Sequence, residues 1–73
     1  MASRPRYLKI LGENIRTARE KVKWSQEKLA EKAQLNRNYI GEIERAEKRS
    51  SLEALWKIAK ALNIPMGRLF RGL

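Results

Sequence analysis

The chain has 73 residues and a formal charge of +9, since 17 Lys and Arg stand against 8 Asp and Glu. It contains no cysteine and no histidine, which excludes a disulfide framework and a thiolate metal site and removes the commonest general base. We therefore expect one domain over residues 1–73 in a reducing cytoplasm, with no catalytic residue, no metal or other cofactor and no small-molecule ligand. No apolar run approaches the roughly 20 residues of a membrane span, so no membrane partner is expected. The basic charge favours nucleic acid or another polyanion as partner, although a soluble protein that is merely basic is an alternative.

Apolar residues recur at helical spacing, which predicts an all-α bundle of five short helices. The first helix is expected over about residues 6–22, with Pro5 tolerated in its first turn. Ser25 is a good N-cap for the second helix, where Trp24 can pack on Leu29 as a hydrophobic staple. The inward positions of these two helices are Leu8, Leu11, Ile15, Ala18, Val22, Leu29, Ala30 and Ala33.

The remaining three helices follow after short connections. Asn36 can cap the third helix, which directs Ile40 and Ile43 inward, and Ser50 or Ser51 can cap the fourth. A proline then opens a short fifth helix, expected over about residues 65–71. The apolar positions of the last two helices are Leu52, Leu55, Ile58, Ala59, Leu62, Met66, Leu69 and Phe70.

The third helix has a polar face opposite its isoleucines. With Arg37 placed at 0° and about 100° per residue, Gly41, Asn38 and Glu42 follow at about 40°, 100° and 140°. Arginine fits the guanine edge in a bidentate fork, asparagine fits adenine, and glutamate accepts from cytosine. Gly41 costs about 1 kcal/mol of helix propensity relative to alanine, which a close approach to another surface would justify. A solvated face with a chance mixture of polar residues is the alternative.

The preceding helix favours base reading by this polar face over a solvated face. Two short helices with apolar inner faces and a turn of about three residues match the helix-turn-helix pattern over about residues 25–45. In that motif the first helix lies across the DNA backbone and the second enters the major groove. Gln26, at the start of the first of these helices, can then hydrogen-bond a phosphate with help from the helix dipole.

Residues 11–65 resemble the Cro and phage-repressor type of helix-turn-helix regulator, the XRE family, above all in "SQEKLA", "YIGEIER" and "SLEALWKIAKAL". The short chain and the segment "LNRNYIGEIER" are most similar to the controller proteins of restriction–modification systems. The resemblance implies a lambda-repressor-like DNA-binding domain, and an ion pair between Arg19 and Glu44 that joins helices one and three. The base-reading positions that it implies are Arg37, Asn38, Glu42 and Tyr39, where Tyr39 fits core packing equally well. The implied phosphate contacts are Ser25, Gln26, Asn36, Arg45, Lys48 and Arg49.

The chain departs from the family at Lys23, Gln34 and Ala46, where glycine is frequent. These sites follow helix ends, where the left-handed conformation is favoured. A residue other than glycine costs on the order of 1 kcal/mol there, so the turns are expected to be slightly reshaped.

The C-terminal end is apolar, and the resemblance implies that it makes a twofold dimer contact, although part of it must fill the core. Trp56 is either at the core edge or in the dimer surface. Arg4, Arg6 and Lys9 form a basic segment that lies along phosphate or in solvent. The residues assigned to the dimer contact are Trp56, Met66, Leu69, Phe70 and Leu73.

The expected function is sequence-specific binding of double-stranded DNA by a homodimer. Two recognition helices would enter successive major grooves of an inverted repeat, with half-sites about 10 bp apart. The resemblance implies activation of an operon at low dose and repression at high dose. The alternatives are a phage-type repressor or autorepressor, the antitoxin of a toxin–antitoxin pair, and a non-catalytic module that bridges proteins. An enzyme is not expected, since the sequence has no glycine-rich phosphate loop and no histidine or cysteine.

Overall fold

The computed structural model describes residues 5–73, and all regular structure in that range is helical. Four α-helices, α1 (Arg6–Lys21), α2 (Gln26–Ala33), α3 (Arg37–Glu44) and α4 (Leu52–Leu62), precede a 3-10 helix (Met66–Phe70). The predicted bundle of short helices is confirmed, and the fifth helix, expected over about residues 65–71, is a 3-10 helix rather than an α-helix. Extended residues bound this segment on both sides. A segment this short forms i→i+3 hydrogen bonds rather than the i→i+4 bonds of an α-helix.

Three of the four α-helices begin at side-chain caps. The capping oxygens of Ser25, Asn36 and Ser51 accept backbone N–H groups two or three residues further on, at 2.7–3.0 Å. Of the two serines that the sequence offers before α4, the structure therefore uses Ser51. Helix α1 follows Pro5, which lies before the first helical residue and makes no side-chain cap.

The turns after the helices keep the left-handed backbone. Lys23, Gln34 and Ala46 have φ values of 61°, 58° and 60°, and Asn63 after α4 has 58°. The expected reshaping at the first three positions is not seen, because each residue adopts the conformation that glycine would adopt. The strain is on the order of 1 kcal/mol at each position.

The core draws on every helical element. Two predicted inward positions, Val22 and Leu52, are instead exposed, since one follows the end of α1 and the other is the first residue of α4. Each of the five elements contributes one fully buried side chain, and these are Ile15, Leu29, Ile40, Ile58 and Leu69.

Helices α1 and α3 approach each other closely at Gly12. A Cβ atom on Gly12 would lie 2.5 Å from the carbonyl oxygen of Ile43 and 2.6 Å from that of Glu44. Real Cβ atoms do not tolerate such distances, so only glycine permits this crossing. Gly12 therefore determines how the C-terminal end of α3 is seated against α1.

Candidate nucleic-acid interface

Helices α2 and α3 are joined by a turn over residues 34–36, as the sequence predicts. The left-handed Gln34 ends α2, and the N–H of Leu35 donates to the carbonyl oxygen of Ala30 at 2.8 Å. Asn36 then caps α3 through the N–H of Asn38. The first turn of α3 therefore starts at a defined place beside α2.

The polar face of α3 lies on the outside of the bundle. Arg37 and Asn38 are exposed in its first turn, and Glu42 is half-buried one turn later. Ile40 and Ile43 are buried on the opposite side. The structure thus brings three of the four predicted base-reading side chains onto one face, at the start of a helix narrow enough for a major groove.

Gly41 lies between Arg37 and Asn38 in helical angle, but other side chains cover it. It is buried, and a Cβ atom there would lie 2.9 Å from Nη1 of Arg45 and 3.3 Å from Oε1 of Gln26. Both atoms are the far ends of flexible side chains, so the expectation that Gly41 serves a close approach to another surface stays a prediction. Its missing side chain leaves room for side chains of the same motif, one of which comes from α2.

A buried carboxylate joins α3 to α1 and α2. The Glu44 side chain is 2% exposed and accepts hydrogen bonds from Nε of Arg19 at 2.7 Å and Nη2 at 3.0 Å. The Nε2 atom of Gln26 also donates to Glu44, at 3.0 Å, and Nη1 of Arg19 donates to the Trp24 carbonyl at 2.8 Å. The hydrogen bonds with Glu44 raise the pKa of Arg19, although burial opposes the shift. Gln26, the predicted phosphate contact, keeps its second amide N–H for an outer ligand.

Tyr39 packs against the core and links α3 to the next helix. Its hydroxyl oxygen accepts the backbone N–H of Ser51 at 3.1 Å, and Nζ of Lys48 lies 5.8 Å from the ring centroid. The side chain is half-buried, unlike Arg37 and Asn38. These contacts account for Tyr39 as a packing residue, while its hydroxyl hydrogen can still be donated.

Basic side chains surround the polar outer face of α3, and several of them lie beside carboxylates. The predicted phosphate contacts Arg45, Lys48 and Arg49 are exposed at and after the end of α3, and the capping residues Ser25 and Asn36 are exposed at the helix starts. The charge pairs on this surface are Arg37–Glu27 at 3.9 Å, Lys48–Glu42 at 3.9 Å and Arg45–Glu47 at 3.0 Å.

The residues predicted for a dimer contact separate into two groups. Leu69 is 0% exposed and belongs to the core, so its assignment to a dimer surface is wrong. Its side chain packs inside the bundle because the 3-10 helix lies against α1 and α4. Trp56, Phe70 and Leu73 are exposed, and Met66 is half-buried against the core.

The basic N-terminal segment is described only in part. Arg6 and Lys9 are exposed on α1. Arg4 lies outside the described residues.

Two structural determinants of the interface were missed in the sequence. Gly12 seats α3 against α1, and Gln26 is tied to Glu44 as well as facing outward. Gly12, like Gly41, is a glycine inside a predicted helix. Such a glycine lowers helix stability, and this cost indicates a packing reason for it. No comparable signal marked the bond between Gln26 and Glu44, which lie 18 positions apart.

Within residues 5–73, no group of three or more acidic, histidine or cysteine side chains is arranged to hold a metal ion. The same range contains no helix with the length and apolarity needed to cross a membrane.

Known proteins resemble the chain in both sequence and fold. Residues 15–69 match the helix-turn-helix family HTH_3, whose members are DNA-binding transcription regulators without enzymatic activity. The chain is 47% identical over 60 residues to the control protein C.SmaI of Serratia marcescens, covering 82% of this chain and 71% of that protein. It is 43% identical over 56 residues to the control protein C.BamHI of Bacillus amyloliquefaciens, covering 75% and 69%. The crystal structure of the restriction–modification controller protein C.AhdI from Aeromonas hydrophila superposes with a TM-score of 0.85 at 38% identity, covering 86% and 96%.

Proposed function

This chain belongs to the helix-turn-helix family of DNA-binding transcription regulators, and we propose that it is a control protein of a restriction–modification system. In this proposal it binds an inverted-repeat operator as a homodimer, in the cytoplasm where the DNA is. Similarity to three proteins named as control or controller proteins supports the subtype. The exposed first turn of α3, with Arg37 and Asn38 side by side, is the observation that carries sequence reading.

Base reading is assigned to the outer face of α3. The Arg37 guanidinium donates two hydrogen bonds to guanine, the Asn38 amide pairs with adenine, and the Glu42 carboxylate accepts from cytosine. Tyr39 adds its hydroxyl donor from the edge of this face. Ser25, Gln26, Asn36, Arg45, Lys48 and Arg49 hold the sugar–phosphate backbone and so determine the register of α3 in the groove.

The dimer is proposed to form through the apolar surface at the C-terminal end. Phe70 and Leu73 expose apolar side chains there, Trp56 exposes its ring on α4, and Met66 lies partly covered. Tryptophan is among the side chains that most often dominate the binding energy of an interface, so Trp56 is the expected anchor of the contact. A twofold axis through this surface would present two copies of α3 to successive major grooves, about 10 bp apart.

Regulation in this proposal acts through protein concentration. The quantity that this concentration controls is the occupancy of the operator. The similarity to control proteins supports activation of the operon at low dose and repression at high dose.

Selection from random duplex DNA at near-physiological salt tests the proposal. We expect enrichment of an inverted repeat with half-sites about one helical turn apart. Binding without enrichment, which simply fades as salt rises, would instead support a non-specific DNA-binding or protein-bridging module. The position of the operator relative to the promoter would then separate a control protein from a plain autorepressor.

Substitutions on the face assign the roles of individual residues. Arg37→Ala is expected to cost about 1–3 kcal/mol on the operator and to relax preference at one base position. Lys48→Ala should weaken binding to all sequences alike and reduce the log–log salt slope by about 0.9. Lys32→Ala, an exposed lysine of α2, is the charge control. Equal losses on operator and random DNA for Arg37→Ala would contradict its assignment.

A further inference from the structure

We propose that Glu27 is a positioning residue for Arg37, and that it raises the specificity of DNA binding while contributing no base contact of its own. This inference rests on the proposed function. Glu27 lies in the first turn of α2, and its Oε2 atom is 3.9 Å from Nη1 of Arg37 in the first turn of α3. The contact therefore spans the two helices of the motif.

The contact is electrostatic and open to solvent. At 3.9 Å the two atoms are too far apart for a hydrogen bond, and the side chains of Arg37 and Glu27 are 64% and 76% exposed. Such a pair restrains the direction of the guanidinium without locking it. In the protein without DNA, the Arg37 guanidinium therefore lies beside Glu27 on the exposed side of α2, and its N–H groups remain free to donate hydrogen bonds.

The Glu27 carboxylate has different effects on a contact of Arg37 with guanine and on a contact of Arg37 with phosphate. A guanidinium has five N–H donors, and a bidentate contact with guanine uses two of them. The remaining donors can stay near Glu27 while Arg37 reads a base, so the pair persists in the operator complex. A phosphate approaching the same guanidinium brings a second anion next to Glu27, and like charges repel.

Glu27 should therefore act differently on the two kinds of complex. In the operator complex Glu27 helps to hold the Arg37 guanidinium in the orientation that contacts guanine. On other sequences it opposes the transfer of Arg37 to the nearest phosphate, which is the easiest contact when no guanine is in place. Specificity gained by penalising the wrong complex is a general device of selective binding.

The chain offers a matched control on the same helix. Glu31 is also exposed on α2, but it lies 3.5 Å from Lys28 within that helix and does not reach α3. Glu27→Gln and Glu31→Gln remove the same charge, so a difference between them reports the position of Glu27, and the Arg37→Ala background then assigns that difference to Arg37.

The experiment measures the affinity of the full chain for duplex DNA by fluorescence anisotropy at one salt concentration. Three duplexes are needed: the selected operator, random DNA, and the operator changed at the base pair whose preference Arg37→Ala relaxes. For Glu27→Gln we expect discrimination at that base pair to fall about two- to fivefold, the range that an exposed pair supports. Affinity for random DNA should rise, and discrimination at the other base pairs should not change. Glu31→Gln should leave all ratios as in the original protein.

A double substitution separates positioning from a general charge effect. In an Arg37→Ala background, Glu27→Gln should raise the affinity for random DNA no more than Glu31→Gln does, because the group that it positions is absent. Equal behaviour of Glu27→Gln and Glu31→Gln, or an unchanged effect in the Arg37→Ala background, would overturn the inference while leaving the proposed function intact. An original protein that prefers no sequence would instead overturn the proposed function, and the inference with it.

Discussion

Replacing the buried carboxylate of Glu44 by an amide should destabilise the fold strongly. In Glu44→Gln the volume is retained, but the negative charge that faces Arg19 is lost. Arg19 is 12% exposed, so water cannot replace the missing partner. The new amide must also turn one N–H toward a donor, since Arg19 and Gln26 both donate to this position.

The magnitude follows from burial. Removing one partner of a buried ion pair costs about 3–5 kcal/mol. A chain of this length has a free energy of unfolding of about 4–11 kcal/mol, so the loss is a large fraction of the total. In urea, where a small protein has an m-value of about 1–3 kcal/mol per M, the midpoint should fall by at least 1 M.

Urea unfolding followed by circular dichroism measures this loss. Glu13→Gln is the control, because Arg16 and Glu13 form a pair at the same 2.7 Å distance but with side chains 48% and 61% exposed. We expect no clear midpoint shift for the control, since exposed pairs contribute little. Similar losses in the two variants would refute the reasoning that burial makes the Glu44 pair important.

A second variant and a pH series test the same pair. Replacing both partners, as Arg19→Met with Glu44→Leu, should recover much of the stability, because no buried charge is then left unpaired. The hydrogen bonds with Glu44 raise the pKa of Arg19 in the folded state. The stability contributed by the Arg19 charge is thus fully present below the ordinary arginine pKa and is lost only as pH rises through the raised value. A stability that fell between about pH 6 and 9 through this group would contradict the assignment.

Three further predictions concern packing, backbone strain and assembly. Gly12→Ala should cost about 1–3 kcal/mol in urea unfolding and weaken DNA binding, because the added Cβ meets two carbonyl oxygens at the end of α3. Gly67→Ala is its control, since a Cβ there meets nothing within 4 Å. Gln34→Gly should raise the melting temperature, with a gain of up to about 1 kcal/mol, because it removes strain at φ 58°, whereas Gln34→Ala should give no gain. Trp56→Lys should weaken the homodimer at least about tenfold in sedimentation equilibrium while leaving the helix content unchanged; an unaltered dimer would show that Trp56 lies outside the contact.

Much of the fold could be predicted because its determinants are local. The start of α1 was predicted at the observed residue, and its end within one residue of the observed Lys21. Ser25 and Asn36 act as the predicted caps, since a cap depends on a side chain and a backbone N–H only two or three residues apart. The polar outer face of α3 followed from helical periodicity for the same reason. Short-range geometry is contained in the order of residues along the chain.

What the sequence did not determine depends on residues brought together from separate elements. Leu69 lies in the core because the 3-10 helix lies against α1 and α4, whereas its spacing fits an exposed apolar end equally well. Gly12 is required by two backbone carbonyl groups of α3, and helix propensity alone cannot say which surface fills the space. The contact of Glu27 with Arg37 likewise exists only once α2 and α3 are docked. By itself the sequence determined where helices begin and which faces are polar. The tertiary structure decided which of those faces are covered and which charges meet, because both depend on distances between segments that are far apart in the chain.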